Sequence, residues 1–383
     1  MIPIAFYAPL KSPEHAVPSG DRTMARLLLA ALREAGFAPR LASDLRTLDL
    51  AGDAGRQDTL RQAGEAEAEC IIGAWRALPA HERPRAWFTY HCYYKAPDWT
   101  GPRVAEAFGI PYIVAEGSRS ARRRAGPWAL GHEGAEAALD RADCLLVMTP
   151  ADAEDLEPVL RPGQRLVPLP PFLDAALWGA PGSAHHCRHE DARILRLLTV
   201  AMMRPGDKLA SYRLLAEALA LLPSGASWSL DVVGDGPARA EVEAAFAPVA
   251  DHVRFRGAIH DTALMGAAYR EADLFVWPAV GEAYGMTLLE AQACGCPVLA
   301  GREKGVEAVL RDGETGLLVP RRDAATFAAV LRGLDADPSR LLPMRRAASD
   351  FVRGERDIPH AAAILRDALM PLLAVRQTEA LAS

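Results

Sequence analysis

Two carboxylates, Glu282 and Glu290, stand eight residues apart in "GEAYGMTLLEAQACGCPV", a segment otherwise dominated by apolar side chains. An ionised carboxylate accepts several hydrogen bonds at once, so it suits a vicinal diol. At roughly 1.5 Å of helical rise per residue the pair is separated by up to about 12 Å, too far to act on one bond. The spacing instead fits two ends of one extended, hydroxyl-rich ligand. Upstream, "VAMMRPGDK" supplies Arg204 and Lys208, a planar fork and a mobile point charge that together suit an anion. Gly285, with the amides of Tyr284, Met286 and Thr287, opens a helix, where free N–H groups favour negative charge.

These groups need elements to hold them. "ADLFVWPAV", 272–280, is a short apolar run ending at Pro278 and reads as a buried strand entering a loop. Residues 284–294 are helix formers stopped by Gly295 and Pro297, and "PVLAG" reads as the next strand. Glu282 therefore lies at the carboxyl end of a strand, the edge where open α/β sheets bind ligands, and Glu290 on the following helix.

The same alternation runs through the chain. In the first half it passes from "IPIAFYAP" through "PSGD" to a helix from Arg22, then "RAWFTYHCYY", "GPRVAEAFGI", "PYIVAEG", a helix near 131–142 and "DCLLVMTP". Thr149 and Pro150 form an N-cap and first-turn pair. The pattern lapses between Pro168 and Arg193 and resumes with "RLLTVAMM", "SWSLDVVGDGP" and "VRFRGAI", with helices at 210–222, 238–247 and 262–271. Two βα domains with parallel sheets follow, closed by a tail helix over 360–376.

A length of 383 residues fits two domains, and a net charge of −6 gives no reason to expect nucleic-acid binding. Six cysteines, at 70, 92, 144, 187, 294 and 296, show no disulfide spacing and point to a reducing cytosol. The start "MIPIAFYAPL" does not read as a signal peptide, and no unbroken run of apolar residues is long enough to span a membrane. "HHCRHE", 185–190, offers metal-binding side chains but lacks the separated pairs of structural zinc sites, so it reads as solvated linker. "CGC" at 294–296 reads as a helix end, and no metal is assigned.

Five segments in order, "FTYHCYY", "VAMMRPGDK", "VVGDGP", "VRFRGAIH" and "GEAYGMTLLEAQACGCPV" with "GVEAVLRDGETGLLVP" after it, resemble the retaining glycosyltransferases of family 4. The resemblance implies the GT-B fold: α/β, two Rossmann-like βα domains facing an interdomain cleft, with a C-terminal helix crossing back to the N-domain. It places an N-terminal acceptor-side domain at 1–175, a linker at 176–193, a nucleotide-sugar-binding domain at 194–358, and the crossover helix and tail at 359–383. Interdomain closure would exclude water.

By the same resemblance Glu290 accepts from the ribose hydroxyls and Glu282 from the transferred sugar. Arg204 and Lys208 stabilise charge on the leaving diphosphate, and Ala283 to Thr287 line it with backbone. His91 faces the sugar, Gly20 lets backbone approach diphosphate or acceptor, and Gly234, Gly236 and Ile259 lie near the base. A plain turn is an equal reading of "VVGDGPAR", and Arg239 where a third glycine would stand disfavours a nicotinamide site.

The resemblance has two departures. Arg204 and Lys208 are closer in sequence than expected, through a tighter loop or a mispaired residue. Glu116 stands where many relatives place a second histidine; it either contacts the donor or pairs with Arg119 or Arg22. Arg119, Arg122, Arg123 and Arg124 in "RSARRRAGPW" suit peripheral contact with an anionic membrane surface or a phosphorylated acceptor, or form a solvated loop. The activity implied is transfer of a hexose from a UDP-sugar, with a GDP-sugar possible, to a glycolipid, polysaccharide or small molecule. It needs no cofactor or metal and runs in the cytoplasm. The alternatives are a GT-B epimerase or phosphorylase and a non-catalytic nucleotide-sugar-binding protein.

Overall fold

In the computed structural model the described residues are 1–17, 19–180 and 194–382, with 376–382 described as backbone only. The chain divides into two compact units, Met1–Pro170 with Ile358–Ser383, and Pro171–Asp357.

The first unit is a six-stranded sheet of β1 (Ile2–Tyr7), β2 (Phe37–Ser43), β3 (Trp87–Cys92), β4 (Tyr112–Gly117), β5 (Cys144–Val147) and β6 (Arg165–Pro168). Every pairing is parallel, in the order β2-β1-β3-β4-β5-β6. Strand addition reverses between β1 and β3, so the loops after these two strands diverge and leave a crevice at their carboxyl ends. Helix Gly20–Glu34 follows β1; Ser19 caps it by accepting from Arg22 N–H, and its buried face carries Met24, Leu28 and Leu32. The capping pair expected at Thr149 and Pro150 is present as a full capping box with Asp152.

The second unit repeats the plan with β7 (Leu195–Val200), β8 (Trp228–Val233), β9 (Val253–Gly257), β10 (Leu274–Trp277), β11 (Val298–Gly301) and β12 (Gly316–Val319). Its order is β12-β11-β10-β7-β8-β9, again all parallel, with the reversal between β7 and β10. β10 and β11 are buried along their whole length, as expected of strands covered on both faces.

The division falls at Pro170, earlier than the expected 175. Residues 171–180 belong to the second unit because Leu173 N–H bonds Arg356 O at 2.9 Å and Ala175 N–H bonds Asp357 Oδ1 at 3.0 Å. The remaining linker positions, including "HHCRHE", lie outside the described residues. The tail helix, Ile358–Ala382, groups with the first unit, where it packs on helix Gly20–Glu34 and Arg366 donates to Ala35 O at 3.1 Å. Its stretch Ile358–Val375 is long and apolar enough to cross a bilayer by length and composition; Ala361, Leu365 and Leu369 are buried in the core.

Candidate functional site

Lys208 and Glu282 meet at the switch point of the second unit. β7 leads into the loop 201–206 and helix Asp207–Ala220, and β10 into the loop 278–285 and helix Met286–Ala293. Lys208 Nζ lies 2.5 Å from Glu282 Oε2, and the Trp277 indole N–H donates to the same oxygen at 3.0 Å. The Trp277 ring, 1% exposed, also lies 5.3 Å beneath the Lys208 ammonium. One buried aromatic residue at the strand end thus fixes both charged groups.

The short Arg204–Lys208 spacing reflects a tight turn. Gly206 adopts φ +86° as the N-cap, and Arg204 O accepts from Leu209 N–H at 3.1 Å. Arg204 itself is exposed and has no side-chain hydrogen bond or ion pair among the described residues. Gly234 and Gly236 support this turn from below. A Cβ on Gly234 would lie 1.9 Å from Ala201 O, and one on Gly236 2.4 Å from Met203 O. Both have large positive φ, so side chains are excluded by conformation and by space. Ile259, after β9, is half-exposed.

Gly285, at φ +77°, is the N-cap of Met286–Ala293, and the first helical amides have no partner within the helix. Ala283 is exposed, while Tyr284, Met286 and Thr287 are half-buried. Gly305 closes on this loop: a Cβ there would lie 1.3 Å from Ala283 O. Glu290 points elsewhere, accepting from Tyr269 O–H at 2.9 Å. Burial pushes its carboxyl up to about 7 against the opposing effect of that hydrogen bond. The two glutamates therefore engage different partners within the second unit.

In the first unit, His91 and Glu116 each lie one residue before the end of their strands, β3 and β4, with φ +61° and +55°. His91 Nδ1 lies 3.2 Å from Asp21 Oδ1 and 3.9 Å from Glu116 Oε1. Burial alone would depress the imidazole, but Glu116 and Asp21 outweigh it and hold it above its ordinary value. Burial raises the Glu116 carboxyl, whereas the His91 hydrogen bond keeps Asp21 low despite burial. Gly20, the first residue of its helix, sits beside Asp21 with open space at its Cβ.

The alternative pairings of Glu116 do not form. Arg22 donates to His15 O and Ala16 O, and Arg119 pairs with Glu136 and Asp140. The latter also corrects the reading of Arg119 as a membrane-facing cation: it is 11% exposed and committed to two acids of helix Ala129–Arg141. Arg123 is held over aromatic rings, and Arg122 and Arg124 are exposed. Trp277, Tyr269, Asp21 and Gly305 escaped the sequence reading. Of these only Trp277 had a local signal, a large aromatic one residue before the strand-ending proline.

Residues 195–337 match the family described as Glycosyl transferases group 1. A D-inositol 3-phosphate glycosyltransferase of Geodermatophilus obscurus is 33% identical over 217 residues, 52% of this chain and 47% of that protein. The matched stretch is thus under half of that relative's length. A D-inositol 3-phosphate glycosyltransferase 2 of Catenulispora acidiphila is 29% identical over 76% of this chain and 70% of its own. Among solved structures, sucrose-phosphate synthase from Thermosynechococcus elongatus superposes with a TM-score of 0.73 at 21% identity, covering 98% of this chain and 100% of the other. Anabaena HepE in complex with UDP gives 0.72 at 15% identity, over 97% and 100%. The same protein was also solved with UDP-glucose.

Proposed function

We propose that this chain, of GT-B type and with residues 195–337 matching the group 1 glycosyl transferases, transfers a hexose from a nucleotide diphosphate sugar, UDP-sugars favoured, to an acceptor hydroxyl with retention of anomeric configuration. The observation that carries the proposal is the junction of Lys208, Glu282 and Trp277 at the β7/β10 switch point, beside an exposed Arg204 and the amide end of Met286–Ala293. A diphosphate seated on those amides would receive charge from Arg204 and Lys208, and negative charge developing on the leaving phosphate is where fixed cations act best. Glu290 would accept from the ribose diol and Glu282 from a sugar hydroxyl. The bond from the anomeric carbon to the phosphate oxygen breaks as the acceptor oxygen bonds to the same face, and the acceptor proton passes to the leaving phosphate. Arg204, Lys208 and the helix-end amides would supply the positive potential that a metal gives elsewhere.

The test is release of UDP or GDP from UDP-glucose, UDP-galactose or GDP-mannose, with and without a cell extract as acceptor source. Mass spectrometry of labelled products names the acceptor, and the anomeric coupling constant reads the stereochemistry. Acceptor-dependent release that persists in EDTA is expected. Binding of every donor without turnover would leave a nucleotide-sugar-binding protein, and isomerised donor without transfer an epimerase.

A further inference from the structure

Beyond His91 the first unit carries a run of rings that the donor chemistry does not use. His91 and Tyr93 have centroids 5.0 Å apart, Tyr93 and Tyr94 5.4 Å, and Tyr94 and Trp128 5.8 Å. All four residues are half-buried, so each ring keeps an open part. Two cations from separate segments share the last two rings. The Arg123 guanidinium lies 5.0 Å from the Tyr94 centroid and 5.1 Å from that of Trp128, and the Lys95 ammonium 5.7 and 5.4 Å from the same pair. Neither has a carboxylate partner among the described residues, in contrast to Arg119 nearby in sequence.

The platform is fixed from behind. Gly131 approaches so closely that a Cβ there would lie 2.2 Å from Tyr94 O, and one on Gly52 would lie 2.5 Å from Pro127 Cβ. The Gln57 side chain donates to Pro127 O at 2.7 Å and accepts from Gly131 N–H at 3.0 Å. Like charges gathered on one aromatic pair repel; the electron-rich faces offset part of this, and a bound anion would offset the rest. The rings meet edge to face, Tyr93 and Tyr94 at 75° and Tyr94 and Trp128 at 81°, so they form an angled apolar wall beside two cations without carboxylate partners, which matches a sugar ring that carries an acid.

Resting on the glycosyl-transfer reading above, we propose that this surface is an acceptor subsite for an anionic saccharide. A sugar packs against the angled wall of Tyr93, Tyr94 and Trp128, and its carboxylate or phosphate meets Arg123 and Lys95. A lipid surface fits less well, because these cations are folded onto rings and Arg119 is withdrawn into its acid pair.

Isothermal titration of the full chain with trigalacturonate, mannose 6-phosphate and neutral maltotriose tests the subsite, with UDP titrated in parallel. A charged probe should bind roughly tenfold more tightly than maltotriose at low salt, the gap narrowing as salt rises. A preference for either charged probe supports the subsite and tells which anion it takes. Arg123→Gln and Lys95→Gln should each lower that preference roughly three- to fivefold, with UDP affinity unchanged. Trp128→Ala should weaken charged and neutral probes alike. Equal binding of charged and neutral probes by the wild type, or an undiminished preference in the Arg123→Gln, Lys95→Gln double variant, would overturn the proposal. So would co-sedimentation with phosphatidylcholine–phosphatidylglycerol vesicles without saccharide binding, which would assign the cations to a membrane. Absence of UDP binding with the saccharide preference intact would instead remove the donor reading and leave this subsite standing.

Discussion

The ammonium of Lys208 lies 2.5 Å from Glu282 Oε2, so the cation assigned to the leaving phosphate is already committed to the carboxylate assigned to the sugar. Arg204, exposed a short turn away, is the cation open to an incoming anion. On the proposed function, the first contact with a diphosphate would fall to Arg204, and Lys208 would join as charge builds.

Arg204→Ala should weaken UDP affinity by roughly ten- to a hundredfold, the usual worth of a charge-assisted hydrogen bond. Lys208→Ala should lower turnover more than UDP affinity. Titration with UDP beside steady-state rates separates the two, and equal losses of affinity in both variants would remove the division of labour.

Trp277→Phe keeps a ring under Lys208 and removes the N–H donated to Glu282. A drop in turnover of roughly tenfold or more is expected, with UDP affinity nearly unchanged and little loss of melting temperature. A variant that lost nucleotide affinity and turnover in step would show Trp277 to be packing alone.

Gly305→Ala places a Cβ where Ala283 O now sits, at 1.3 Å, so the "GEAYG" loop has to move. The circular dichroism spectrum should be retained while UDP affinity falls at least roughly tenfold, since helix-end amides act only over hydrogen-bond distance. Wild-type affinity in this variant would show that the loop does not line the diphosphate.

Much of this arrangement was legible where local chemistry and tertiary role coincide. Pro278, Gly285 and Gly295 punctuate their strand and helix, and the loop glycines Gly234 and Gly236 are required by close backbone approach. The strand Phe37–Ser43 is absent from the sequence reading; it contains Pro39, which is tolerated because β2 is an edge strand. Helix Ala54–Ala77 is absent from the sequence reading; it carries Gly55, Gly64 and Gly73, and Gly64 admits Trp99 against the helix. The partners of the site residues were hidden for another reason. Asp21 and His91 are joined by folding over a separation of 70 residues, and nothing near Arg119 announces that Glu136 and Asp140 will claim it.

Glu290, pushed up to about 7 by burial, should make nucleotide binding depend on pH. Only the ionised carboxylate accepts from both ribose hydroxyls, so UDP affinity should fall below pH 7, by at most about tenfold per pH unit. The linkage to stability has the opposite slope: a carboxyl raised on folding keeps its proton longer in the native state. Stability is therefore lost as pH rises from the ordinary glutamate range toward 7. Glu290→Gln should flatten both profiles, and an unchanged UDP–pH profile in that variant would remove Glu290 from the ribose.

His91 between Asp21 and Glu116 should titrate above a free histidine, because two carboxylates favour the imidazolium more than burial disfavours it. A histidine raised on folding contributes stability below its unfolded value, lost as pH rises through the folded value. Proton NMR of the imidazole across pH 5 to 9 reads this directly, and Asp21→Asn and Glu116→Gln should each lower the midpoint. We propose in addition that Glu116 selects among donor sugars. Its carboxylate lies 3.9 Å from His91 Nδ1 rather than against Arg22 or Arg119. A donor with its own carboxylate would meet like charge there. Wild type should use UDP-glucose over UDP-glucuronate, and Glu116→Gln should narrow the ratio by removing the repulsion. If the ratio stays fixed while the His91 midpoint falls, Glu116 tunes the histidine and does not select the sugar; if neither moves, the pair has no electrostatic role in the reaction.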